Sequence, residues 1–391
     1  MRDGQAAAMR AAEDAVQAAD PWLAAVRAAV AEPSIPDLHA QPIVDLARGE
    51  VAGYEVLARF PGPPQAAPDE WFAVADRAGL AAYLEARVLD RALQLRSSLP
   101  RGAFLSVNVS THLLASEPVQ QVLARAGSLA GTVLELTEPV PEQRPDLTNA
   151  LCSVTAVGGR IAIDDAGAGH HGMRQMATVR PALVKLDRSL VGGIDTDPTK
   201  AAVVEMLGDF ANRLDARLLA EGIETEAELR TLVGLGVPLG QGFLLARPDL
   251  PWVGLTEAVI ALLRSEAHAG RDGHVAELVE DADVVGAGSG EAPQTGQIIV
   301  EVDRGEHPVA MRHATGGQLH RTTGPALLMV LPSDRIEHVA HTALARSSPH
   351  RFEPLVCVDI AGRLVGVVRM ERLVSALAAR ASDPLSAPGH S

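Results

Sequence analysis

From residue 37 onward the chain alternates short β-branched or apolar runs with longer Ala/Leu-rich stretches of helical period. That is the pattern of repeated βα units. Eight strands are predicted: His39–Leu46, Val51–Arg59, Phe104–Val109, Thr132–Glu138, Arg160–Asp164, Leu183–Leu186, Arg217–Ala220 and Leu239–Gly242. Helical patterns lie between and after them, over Trp71–Leu99, Thr111–Ala126, Asp146–Val157, Pro198–Leu214, Glu226–Leu235 and Trp252–Ser265. The Gly49-Glu50 connection is too short for a crossover helix, so the first two strands are predicted to form an antiparallel hairpin. Residues 37–264 approach the roughly 250 of a (β/α)₈ barrel. The expectation is an α/β fold: a modified TIM-type barrel with an antiparallel first strand, followed by a smaller α/β domain.

Outside the barrel, residues 1–36 read as a helical segment, with a surface helix over about residues 5–31. Residues 266–296 are rich in Gly, Ala, Glu and Asp and read as a linker with one short helix. Residues 297–380 resume the alternation. Strands are predicted over Gln297–Val302, Ala326–Leu331, Leu355–Asp359 and Leu364–Arg369, with helices over Ile336–Ala345 and Met370–Ala379. Residues 381–391 read as a disordered tail.

Composition narrows the class. Of 391 residues, 47% are apolar and 21% charged, which excludes a disordered or collagen-like chain. The net charge of −15 argues against a DNA or RNA duplex, or an anionic membrane, as partner. No signal peptide and no apolar run of about 18 residues is visible. Only Cys152 and Cys357 occur, far apart, so neither a disulfide scaffold nor a zinc-thiolate site is expected, and a reducing cytoplasm is the expected compartment. Cys152, flanked by Leu151 and near Val154, reads as a small buried hydrophobe. Among 34 basic residues only Lys185 and Lys200 are lysines, so a lysine here marks a place where an ammonium is wanted.

Seven consecutive predicted strands carry a polar residue at or near their carboxyl ends: Glu55, Asn108, Glu135, Asp164 with Asp165, Lys185, Glu221 and Gln241. In a barrel those ends form one rim, where the active site assembles. Five carboxylates and a carboxamide on one rim need a cation, and an all-oxygen set suits Mg²⁺ or Mn²⁺ better than zinc. The adjacent Asp164-Asp165 pair suits two ions, the recurring apparatus of phosphodiester hydrolysis. An ammonium at Lys185 would hold the attacking water as a point charge. Arg59 has the fork geometry for a phosphate oxygen.

These residues carry a resemblance to the EAL family of cyclic di-GMP phosphodiesterases. Its Glu-Ala-Leu triplet appears as Glu55-Val56-Leu57 within QPIVDLARGEVAGYEVLARF, and the match continues through SVNVS, LELTE, IAIDDAGAG, VKLDRSLV, LLAEGIET and GQGFLLARP. The resemblance implies hydrolysis of cyclic di-GMP to linear pGpG by water activated by two Mg²⁺ or Mn²⁺ ions. Glu55, Asn108, Glu135 and Asp164 would hold one ion; Asp164, Asp165 and Glu221 would serve the second. Lys185 and Gln241 would position the water, with Glu55 and Glu221 also in the catalytic set. Gln41, Arg59, Leu57 and Pro248 are the substrate-binding positions it implies, Glu138 and Glu224 the loop-supporting ones, and a homodimer the expected assembly.

Two departures fall in the loop after the aspartate pair, where the family's Phe and Thr are Ala166 and Ala168. They favour an alternative, a receptor that binds cyclic di-GMP without turnover. The run Gly167–Gly172 fits a G-x-G-x-x-G pattern, but two aspartates precede it and would repel a pyrophosphate. The adjacent His170 and His171 side chains diverge in a turn and make a poor metal site. The C-terminal module, with its EPLVCVDIAGRLVGVVRMERLVSALA stretch, resembles a shortened pair of CBS motifs, which implies regulation, dimerisation or a bound nucleotide.

Overall fold

The computed structural model describes residues 21–381 except 63, 139, 142–143, 165–171, 270–272, 291, 316–317, 349 and 360–361. Asp165, the Ala166/Ala168 loop, the His170-His171 pair, residues 1–20 of the expected N-terminal segment and most of the expected tail therefore lie outside the described residues. The chain forms two compact units: one of residues up to Val44, Val51–Glu228 and Leu239–Thr256, the other of Asp45–Glu50, Leu229–Pro238 and residues from Glu257 onward.

The first unit is built on a closed barrel of eight strands in chain order: β1 (Asp37–Asp45), β2 (Glu50–Arg59), β3 (Phe104–Val109), β4 (Thr132–Leu136), β5 (Arg160–Ile163), β6 (Leu183–Leu186), β7 (Arg217–Ala220) and β8 (Leu239–Gly240). Strands β2 to β8 pair in parallel. β1 and β2 are neighbours joined by four residues, which only an antiparallel pair allows. All five residues of β4 and all four of β6 are buried. Strands covered on both faces must read as nearly continuous apolar runs, and they do. The polar exceptions, Glu135 in β4 and Lys185 in β6, stand out for that reason.

Helices α1 (Pro21–Ala31), α2 (Pro68–Arg77), α3 (Ala81–Leu95), α4 (Glu117–Ala126), α5 (Pro145–Ala156), α6 (Gly172–Val179), α7 (Arg188–Val191), α8 (Pro198–Arg213) and α9 (Glu226–Gly234) connect or flank the strands. Leu105, Leu134, Leu136 and Ile161 belong to one core with Leu89 and Val88 of α3 and Val119, Val122 and Leu123 of α4. Trp71 packs with Val26, Ala29 and Leu84 and stacks on Phe60 at 4.6 Å between ring centroids.

Several sequence expectations change here. The helix predicted over Trp71–Leu99 is two, because Gly79 adopts φ 67° after α2 and the amides of Gly79 and Leu80 close back on the carbonyls of Asp76 and Ala75. The helix predicted from Thr111 starts at Glu117, since Ser110, Thr111 and His112 spend their hydrogen bonds on a turn. Cys152 is exposed rather than buried: α5 turns Leu147, Ala150 and Val154 inward, and Cys152 lies off that stripe.

In the second unit the stretch expected to be a linker is partly ordered. Helix α10 (Glu257–Ala269) runs into it, Val275 and Leu278 are core residues, and β9 (Asp283–Gly286) pairs in parallel with β10 (Ile298–Val302). β10 pairs antiparallel with β11 (Pro308–Thr315), and β11 with β12 (Gln318–Thr323). β11 and β12 are not among the predicted strands: polar residues interrupt the apolar alternation, with Arg312 and His313 buried in β11 and Leu319 and Arg321 exposed in β12. A second sheet repeats the plan: β13 (Met329–Val330) lies parallel to β14 (Leu355–Val358), which pairs antiparallel with β15 (Leu364–Val368). Here α11 (Ile336–Ala345) makes the parallel crossover and α12 (Met370–Ala381) closes the repeat, whereas β12 stands in place of that helix in the first repeat. Within the same unit Arg48 is paired with Asp359 at 2.7 Å, and Asp359 with Arg363 at 2.8 Å. Among the described residues no helix is long and apolar enough to cross a membrane.

Candidate active site

A cavity of about 670 Å³ opens at the carboxyl ends of the barrel strands. Gln41, Glu55, Leu57, Arg59, Asn108, Asp164, Lys185, Glu221, Glu224 and Gln241 line it, so most of the positions singled out from sequence converge on one space. Glu135 lies beneath, fully buried. Glu138 is outside the lining and holds His112 Nδ1 at 2.8 Å. Pro248 does not line the cavity.

Lys185 is the hub. Its Nζ lies 2.5 Å from Glu135, 2.6 Å from Glu221, 3.8 Å from Glu55 and 4.0 Å from Asp164. Burial works against the charge on this amine, yet Glu135, Glu55, Glu221 and Asp164 outweigh it and hold the ammonium well above the ordinary lysine range. The same crowding acts on the acids. Burial, reinforced by Glu55 and Asp164 against the pull of Lys185, pushes Glu221 up to about 8. Burial raises Glu135 as well, against the opposing pull of Lys185. Ser106 Oγ donates to Glu135 Oε1 at 2.5 Å, fixing the carboxylate's other oxygen.

A carboxamide chain orients Glu55. Asn108 Nδ2 donates to Glu55 Oε1 at 2.7 Å, and Gln241 Nε2 donates to Glu55 Oε2 at 2.8 Å and to Gln41 Oε1 at 2.8 Å. Gln41 in turn donates to the Ala246 carbonyl at 2.9 Å. Among the described residues Gln241 Oε1 is buried with no hydrogen-bond partner. A buried acceptor left open is costly unless something else fills it, and this one belongs to the amide whose nitrogen holds Glu55. Gly242 allows the chain to pass close: a Cβ there would lie 2.2 Å from the Ile223 backbone.

The loop after β7 is braced at the cavity edge by Arg188, which lines it beside Glu224. Arg188 donates to Glu228 at 2.8 Å and to Glu224 at 3.0 Å, and Glu228 also accepts the backbone amides of Gly193, Glu224 and Thr225. Although its burial opposes ionisation, these bonds bring Glu228 down to about 2. Sequence reasoning missed Arg188, Glu228 and Glu85. The last had a visible signal, an acid set within the apolar stripe Ala81, Val88, Leu89 and Ala92 of α3. Burial pushes Glu85 up to about 7, against the bonds it accepts from Ser110.

The donor set fits divalent cations in its chemistry. Four carboxylates share one ammonium, and Asn108, hydrogen-bonded to Glu55, adds a carboxamide to a hard-oxygen set. Among the described residues no three His, Cys, Asp or Glu side chains already stand in a metal-holding arrangement.

Fold and rim together define a modified (β/α)₈ barrel with a carboxylate–lysine centre. The EAL domain pattern matches residues 25–248, and the chain belongs to the EAL domain family. It is 27% identical over 233 residues to "Probable cyclic di-GMP phosphodiesterase PdeG" of Escherichia coli (strain K12), covering 56% of this chain and 46% of that protein. It is 30% identical over 223 residues to "Bifunctional diguanylate cyclase/cyclic di-GMP phosphodiesterase MucR" of Pseudomonas aeruginosa, covering 54% and 33% respectively. The chain thus spans less than half the length of these curated relatives. Among solved structures it is similar to "PaMucR Phosphodiesterase, c-di-GMP complex", with 28% identity, a TM-score of 0.51, and coverage of 59% of this chain and 98% of that one.

Proposed function

We propose that this chain is a metal-dependent phosphodiesterase that hydrolyses cyclic di-GMP to linear pGpG. The observation that carries this reading is the buried Lys185 ammonium amid Glu55, Glu135, Asp164 and Glu221, with the open Gln241 Oε1 beside them in a cavity of about 670 Å³. Kinship to proteins named as cyclic di-GMP phosphodiesterases, and to a solved structure named as a cyclic di-GMP complex, supports the substrate.

Glu55, Asn108, Glu135, Asp164, Asp165 and Glu221 would hold Mg²⁺ or Mn²⁺ ions, which when bound stabilise the phosphodiester oxygens as Lewis acids. Lys185 and Gln241 hold the attacking water, the amide oxygen accepting one of its protons in a hydrogen bond. Glu55, held by two carboxamides, keeps a fixed orientation throughout. Arg59 meets a non-bridging phosphate oxygen at the cavity wall, with Gln41 and Leu57 beside it. The water oxygen bonds to phosphorus as it gives up a proton, the bond to one ribose oxygen breaks, and that oxygen takes up a proton, so that one water is added across the phosphodiester. The C-terminal unit we read as a regulatory or dimerisation element, on the support of its repeated strand plan.

The test is incubation of the full chain with cyclic di-GMP and Mg²⁺ or Mn²⁺, the product being followed by chromatography. Linear pGpG is expected; no linear product with either metal at high protein concentration refutes the reading. Tight nucleotide binding without turnover would instead establish the receptor that Ala166 and Ala168 favour.

A further inference from the structure

The turn that follows β3 is held from below by one buried acid. Glu85 sits in the apolar stripe of α3 and is only 4% exposed. Its Oε1 accepts the Ser110 backbone amide at 2.7 Å, and its Oε2 accepts Ser110 Oγ at 3.2 Å. The Ser110 carbonyl then receives the amides of Leu113 and Leu114, closing the turn. From the same turn Thr111 Oγ1 donates to the Glu138 carbonyl at 2.7 Å, and His112 Nδ1 meets Glu138 Oε2 at 2.8 Å. One carboxylate on a helix thus anchors the exit of β3, and that exit anchors the segment after β4. Helix packing alone would be served better by an apolar residue, because a buried carboxylate is costly to desolvate.

We propose that Glu85 is a positioning residue: its carboxylate fixes the Ser110 turn and thereby holds Asn108, two residues upstream, and the Thr137–Glu138 segment in place at the cavity. Its effect on turnover rests on the hydrolase reading above, whereas its effect on the turn does not. Glu85 also borders the cavity, but both its carboxylate oxygens are engaged by Ser110, so it acts through the backbone it grips. Asn108 and Thr137 both line the cavity, so slack in this turn loosens two of its walls.

The experiment compares the full chain with Glu85→Gln and Glu85→Ala. Gln keeps an acceptor for the Ser110 amide; Ala leaves that amide unpaired. Hydrogen exchange by mass spectrometry is read on residues 108–114 and 136–141, with 183–191 as internal reference. Expected in Glu85→Ala is exchange faster by about tenfold or more in the first two segments and unchanged in the third, with Glu85→Gln within about threefold of the parent. Mn²⁺ titration by calorimetry, without nucleotide, is expected to show affinity weakened about tenfold in Glu85→Ala. With cyclic di-GMP, kcat should fall about tenfold or more while KM stays within about threefold. Unchanged exchange at 108–114 in Glu85→Ala overturns the proposal. So does acceleration of all three segments alike, which would mark a merely structural role, or failure of Glu85→Gln to restore the turn. If the parent protein itself shows no turnover, the hydrolase reading fails, and the exchange measurement still decides the role of Glu85.

Discussion

Replacing Lys185 by methionine keeps an unbranched stem, one atom shorter, and deletes its charge. Nζ lies within 4.0 Å of four carboxylates, two of them at 2.5 and 2.6 Å. At an effective dielectric of about 20, each of the two short contacts is worth roughly 6 kcal/mol of gross attraction. Desolvation of several kcal/mol per ion offsets most of it, so removing the one cation from a buried group of this kind is expected to cost about 3–5 kcal/mol. The cost should depend on pH in a definite direction. The raised Lys185 pKa means the ammonium stays charged until above the unfolded lysine value of about 10.4, so its own titration adds no pH dependence from pH 5 to 8 and any dependence there comes from the acids it pairs with. Glu221, raised from 4.5 to about 8, favours its protonated form in the fold; its stabilisation is present at low pH and declines as pH climbs toward that value. Without the ammonium the acids repel more strongly and the decline steepens. In urea titrations with a chelator present, Lys185→Met should lie near the parent at pH 5 and about 3–5 kcal/mol below it at pH 8. Mn²⁺ should stabilise the variant more than the parent, and hydrolysis should fall by at least about 100-fold with most nucleotide binding retained. Equal stability losses at pH 5 and pH 8, or full hydrolytic activity in the variant, would refute the reasoning.

Three further predictions follow from single contacts. Gly242→Ala places a Cβ 2.2 Å from the Ile223 backbone, so it should displace Gln241 and lower both thermal stability and nucleotide affinity, which differential scanning and calorimetry would register together. Glu228→Ala strips a buried acceptor from Arg188 and three amides, and a loss of about 3 kcal/mol in urea titrations at pH 7 is expected; because the folded Glu228 is lowered to about 2, the parent's advantage should be present above pH 4.5 and shrink as pH falls below it. Asp45, raised by burial from 3.8 to about 6 despite Arg48 and with Asp359 opposing its charge, makes the parent lose stability as pH rises between those values. Asp45→Asn should therefore gain on the parent by up to about 3 kcal/mol between pH 4 and pH 7, and a flat difference across that range would contradict the assignment.

Much of this protein was legible in its sequence. The eight strands could be read because barrel strands covered on both faces must be apolar, and a Glu or Lys inside such a run has few reasons to be there other than a site. Rim residues such as Glu55, Asn108, Asp164, Glu221 and Gln241 were recoverable for the same reason: parallel strands put their carboxyl ends on one side. Less visible were the breaks. Gly79 divides what periodicity alone reads as one long helix, and β12 has no clean alternation because much of its surface faces water.

The sequence by itself determined the barrel, its acidic rim and the one lysine set within it, since each follows from local period and residue type. Only the tertiary structure decided that Lys185 is shared among four acids, that Gln241 turns an amide to Glu55 and leaves its oxygen open, and that Glu85, from a helix, grips the turn after β3. The physical reason is range. Strand and helix patterns are written in neighbours a few positions apart, whereas these contacts join residues 21 to 186 positions apart, whose meeting is fixed only when the barrel closes.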